Sequence, residues 1–89
     1  MLFRSHLEIA EEFGDRVGVG ICYGSIGCTY HGLGQFKKAI EYHQRHLAIA
    51  EEARDKAGIV ASHSNIVNVY HSFGRFKVAI EFQIGRAHV

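Results

Sequence analysis

No proline and no tryptophan occur among the 89 residues, and cysteine appears only twice. Without proline, nothing in the chain forces a helix to break by lacking a backbone donor. Two cysteines are too few for a disulfide framework. Cys22 and Cys28 on one helix would sit about 9 Å apart along its axis and on different faces, beyond disulfide reach. They read as small apolar packing residues. Net charge is +1, so no basic excess is available to hold a nucleic-acid backbone. No apolar run approaches the roughly 18 residues of a membrane span. The start, "MLFRSHLEIAEE", turns acidic too early for a secretory signal, which leaves the cytoplasm as the expected location.

What is present is glycine, ten in all, histidine, seven in all, and an apolar content of 47%. That content suits a folded chain rather than a disordered one. The glycines of "GVGICYGSIG" (18–27) follow no strand, so they are not a phosphate-binding loop. Cys28 and His31 have no orienting third group, and no glycine-bounded serine motif occurs, so no enzyme is expected. His43 and His46 stand three apart on one helix, but zinc needs third and fourth ligands converging on the same point. Neither a metal nor a cofactor is expected, and the histidines read as packing or groove residues.

Sliding the chain on itself by 40 positions organises it. "HLEIAEE" (6–12) falls on "HLAIAEE" (46–52), and "FKKAIE" (36–41) falls on "FKVAIE" (76–81). From His6/His46 to His43/Gln83 there are 17 identities in 38 pairs. A period in this range marks stacked repeats, each burying its apolar face only against its neighbours. Apolar residues recur at three- and four-residue steps, as in Ile59, His63, Ile66-Val67 and Tyr70. Breaks fall at "FGDR" (13–16), "GLGQ" (32–35), "ARDK" (53–56) and "SFGR" (72–75). Gly34 and Gly74 are placed to end helices in the left-handed conformation. Asp15 and Asp55 are placed to cap the next ones. The expectation is five helices, over 2–13, 17–32, 36–53, 57–72 and 76 to at least 83.

The series Tyr23, Ile26-Gly27, Tyr30, Gly34, Phe36 and Ala39, repeated as His63, Ile66-Val67, Tyr70, Gly74, Phe76 and Ala79, resembles the tetratricopeptide repeat. The expected fold is an all-α solenoid of antiparallel helix hairpins, about two repeats plus one orphan helix. Residues 1–13 would be the second helix of a truncated repeat, 14–53 a full repeat and 54–83 an incomplete one. In this reading Tyr30 and Phe36 fill the space between units, and Gly27 and Ala39 let helices approach closely. The 40-residue unit is similar to the repeats of the G-protein-signalling modulator proteins, and to those of large tetratricopeptide scaffolds. That resemblance implies a protein or peptide ligand lying in a concave groove lined by the first helix of each unit. It also implies a scaffold role in G-protein signalling, spindle orientation or cell polarity; the alternative is a structural spacer within a longer array.

The groove positions implied are Asn65 and Asn68 in one unit, with Ser25 and Cys28 in their places in the other, joined by His31 and His71. Side-chain amides carry both a donor and an acceptor, which suits them to an extended peptide backbone. Where the family pattern has an arginine, this chain has Ile21 and Ala61, so the cation that grips an acidic partner is missing. Val67 replaces a small residue and is expected to push its neighbouring helix out slightly or to be tolerated by a shift.

Residues 84–89, "IGRAHV", match nothing in the repeat and place Gly85 where mid-helix should be, at a cost of about 1 kcal/mol. They resemble the translation of a sequencing-library adapter, and are expected to be a non-native tail on a fragment of a longer array. With apolar faces left open at both ends, the fragment is expected to self-associate or to be only partly folded.

Overall fold

A computed structural model describes residues 5–12 and 14–87. Four helices follow in order: α1 (His6–Glu12), α2 (Arg16–Gly32), α3 (Phe36–Glu52) and α4 (Lys56–Ala87). No strand occurs among the described residues. Residues 2–4 and 13 of the expected first helix lie outside them, as do 88–89 of the expected tail; 84–87 continue α4.

Each of the three turns passes through a left-handed residue. The Gly34 N–H donates to the His31 carbonyl at 3.0 Å and the Gln35 N–H to that of Tyr30 at 2.9 Å. This paired closure needs a left-handed residue, and Gly34 has φ +78°. Gly14 is left-handed too, at φ +69°, its N–H donating to the Glu11 carbonyl at 3.1 Å. Its counterpart forty residues on is Arg54, which adopts φ +54° although it carries a side chain. There the Arg54 N–H donates to Glu51 and the Asp55 N–H to Ala50. Asp15 caps α2 as the spacing predicts, its Oδ1 accepting from the Gly18 N–H at 2.9 Å.

The fourth expected turn does not form. α4 runs unbroken for 32 residues through "SFGR", and Gly74 is helical. The reason lies in what a hairpin must bury. In the α2–α3 hairpin, Gly20, Gly24 and Gly27 let α3 approach the bare backbone of α2. Their counterparts are Val60, Ser64 and Val67, which carry side chains. Folding back at Gly74 would break helical hydrogen bonds without gaining that close packing.

The core is correspondingly thin. Among the described residues, Val19, Cys22, Ala39, Ile49, Ala50 and Val69 are its buried apolar residues. The molecule measures 60 × 35 × 13 Å between Cα extremes, about one helix deep.

Candidate peptide-binding face

The tightest seam joins α2 to α3, and it is made of glycine and histidine. A Cβ added at Gly27 would sit 2.7 Å from the His43 ring, and one at Gly24 2.7 Å from His46. A Cβ at Gly20 would lie 3.0 Å from His46 and 3.2 Å from Ile49. His43 is wholly buried and His46 nearly so. Among the described residues, none of their four ring nitrogens has a hydrogen-bond partner. Burial therefore pushes both imidazoles below their ordinary range; neighbouring His46 and His31 add to the effect at His43, while Asp55 opposes it at His46. The two histidines are packing residues held neutral. Among the described residues, no group of three His, Cys, Asp or Glu is placed to hold a metal.

Beside this seam runs an aromatic ladder. Tyr30 stacks on Tyr42 with ring centres 5.5 Å apart, and Tyr23 lies 6.0 Å from Tyr42. Arg45 covers Tyr42 at 4.9 Å and Lys38 covers Tyr30 at 5.3 Å. Tyr30 therefore works inside its own hairpin rather than between units. Phe36 does span units, with its ring about 6 Å from those of Phe73 and Phe76 on α4.

Away from the seam, α2 leaves one face open. Ile21, Ser25, Cys28 and Gly32 recur at four- and three-residue steps, and all four are exposed. Their counterparts on α4 are Ala61, Asn65, Asn68 and Ser72; Ala61 and Asn68 are exposed, while Asn65 and Ser72 are half-buried. Among the described residues, no hydrogen bond engages the Asn65 or Asn68 amide. The two cysteines separate, Cys22 being buried and Cys28 exposed on this open face. Only Cys22 keeps the packing role expected of both. Its thiol is pushed up, first by burial and then by Asp15 and Glu11.

The two histidines of the expected groove set are placed differently. His31 is half-buried, its Nε2 2.7 Å from the Ser72 hydroxyl and its ring against Phe36. It ties α2 to α4. His71 lies on a different stripe of α4, with Val67, Tyr70 and Gly74. Sequence reasoning placed Gly27 at a close helix approach but missed Gly20, Gly24 and the facing rings of His43 and His46. The signal was there in the matched three- and four-residue spacings on the two sides of one hairpin.

A glycine-ended helix hairpin, followed by a helix that packs on its second member, defines the class: a helical-repeat protein. The tetratricopeptide repeat family model matches residues 1–52, and the chain belongs to that family. The match stops at the end of α3, before the helix that departs from the hairpin pattern. No curated protein and no solved structure gives a significant match. Tetratricopeptide repeats in general mediate protein–protein interaction, and no helix among the described residues is long and apolar enough to cross a membrane.

Proposed function

We propose that this chain is a non-enzymatic interaction segment that takes an extended partner peptide along the open face of α2 and the first half of α4. The observation that carries the reading is the row Ile21, Ser25, Cys28 and Gly32, exposed on α2 beside its α4 counterpart with Asn68. It is a strip of small, apolar and amide side chains with little charge. Asn65 and Asn68 would hold the peptide backbone, donor to carbonyl and acceptor to N–H. Ile21 and Ala61 would offer apolar contact where the family pattern has a cation, so the favoured partner would not be acidic. The 40-residue unit supports a role like that of the G-protein-signalling modulators, in the cytoplasm, in spindle orientation or cell polarity.

One observation favours a spacer reading instead. The His31–Ser72 hydrogen bond spends polar groups of this region on joining one unit to the next. Asn65→Ala with Asn68→Ala decides between the two. Loss of bound partners in pull-downs, with the helical circular dichroism unchanged, is the outcome expected of a peptide groove. Full retention of every partner would leave the face a spacer.

A further inference from the structure

The unbroken α4 changes what its open face can offer. Ala61 and Asn68 stand seven residues apart on it, and Arg75 stands seven further on. Seven residues make close to two helical turns, so the three positions follow one line to within about 40°. In α2 the matching line is Ile21, Cys28 and Gln35. There α2 ends at Gly32, and Gln35 is the N-cap of α3. A turn at Gly74 would take Arg75 off the line in the same way. The helix that runs straight through Gly74 instead carries the line on to a cation.

Among the described residues, nothing acidic faces Arg75. It is exposed, and no ion pair engages it. From Lys56 to Ile80, α4 contains no aspartate or glutamate, whereas Lys56, Arg75 and Lys77 are cations. The next acid along the helix, Glu81, lies about 120° round from Arg75. Glu41 of α3 lines the groove beside Tyr70 and Phe73, two positions about 140–160° round α4 from Arg75. The exposed His71 precedes Arg75 by one turn, and both border a depression with Gly74, Val78 and Ala79.

We infer that Arg75 is the partner-facing cation of this chain, and that the partner peptide carries one aspartate or glutamate side chain to meet it. This rests on peptide binding along the open face. The cation that is missing at Ala61, seven residues before Asn68, is supplied seven residues after it. The two ends of the strip therefore differ: the Ala61 end takes uncharged residues and the Arg75 end takes a carboxylate. Guanidinium offers paired donors whose geometry matches that group. A register follows, because Asn68 and Arg75 are about 10 Å apart along the helix axis. An extended chain covers that distance in about three residues. The acidic residue thus stands about three positions from the one whose main chain Asn68 holds, and it sets the direction in which the peptide lies.

Selection of random twelve-residue peptides displayed on phage, with the 89-residue chain as bait, tests this. Peptides held by the chain and lost on Asn65→Ala with Asn68→Ala are expected to share one Asp or Glu at a fixed position. Arg75→Gln is expected to weaken such a peptide about fivefold. Replacing the peptide's acid by its amide should do the same, with no further loss when the two changes are combined. Arg75→Glu is expected to move the selection to Lys or Arg at that position. Lys77→Gln removes the same charge about 160° round α4 and is expected to leave affinity unchanged. Peptides that need the amides but share no acid, or that respond equally to Arg75→Gln and Lys77→Gln, overturn the role of Arg75 and leave the peptide face standing. A chain that holds no amide-dependent peptide overturns both.

Discussion

Adding one methyl group at Gly27 tests the glycine–histidine seam directly. The Cβ would lie 2.7 Å from Cε1 of His43 and 2.9 Å from both ring nitrogens, closer than carbon and nitrogen atoms pack. The ring is wholly buried, and protein interiors pack with few voids. Relief must come from separating α2 and α3, and overpacking of this kind costs about 1–3 kcal/mol. Against it stands a gain of up to about 1 kcal/mol from replacing a mid-helix glycine by alanine. The net expectation is destabilisation by up to roughly 2 kcal/mol, or a melting temperature lower by up to about 16 °C at this chain length. Gly32→Ala, in the same helix with nothing within 4 Å of its Cβ, removes the steric cost and keeps the propensity gain, so it should stabilise by up to about 1 kcal/mol. Thermal melts followed by circular dichroism compare the two. Equal effects from both substitutions would refute the seam. A cycle with His43→Ala adds a second check, since removing the ring should turn Gly27→Ala neutral or favourable.

Acid should weaken the fold through His43 and His46. Their folded pKa values are lowered by burial, so the unfolded chain binds protons first, near the ordinary 6.5. Stability is therefore complete above that pH and is lost as pH falls below it, by at most about 1.4 kcal/mol per pH unit for each ring. Denaturant titrations that give the same stability at about pH 7 and pH 5.5 would contradict the neutral burial of the pair. Arg54→Gly should raise stability by about 0.5–1 kcal/mol, because a side chain is disfavoured at φ +54°; an unchanged melting temperature would count against strain at that turn. Asp15→Ala should cost about 0.5–2 kcal/mol by freeing the Gly18 N–H, while Asp15→Asn, which keeps an accepting oxygen, should recover most of the loss in the same melts.

Which of these features could be read from the sequence depended on whether their cause was local. The turns at 13–16, 32–35 and 53–56 were legible because glycine and aspartate act on their own backbone, in a left-handed turn or a cap. Arg54 was legible as a break but not as a left-handed residue, since arginine carries no such preference; only its alignment with Gly14 across the repeat gives it away. Of the groove positions, Ser25, Cys28 and Asn68 are exposed, as the helical period requires. The engagement of His31 with Ser72 depends on where α4 docks, which no local pattern encodes. The turn at 72–75 shows the limit most sharply. "SFGR" carries the same glycine signal as "GLGQ", yet a turn is kept only if the helices it joins can pack. That condition sits at Val60, Ser64 and Val67, up to fourteen residues before Gly74. A glycine can permit a reversal of the chain, but the face behind it decides whether the reversal is worth more than the helical hydrogen bonds it breaks. In α2 the glycine stripe favours the hairpin. In α4 the valines favour the straight helix.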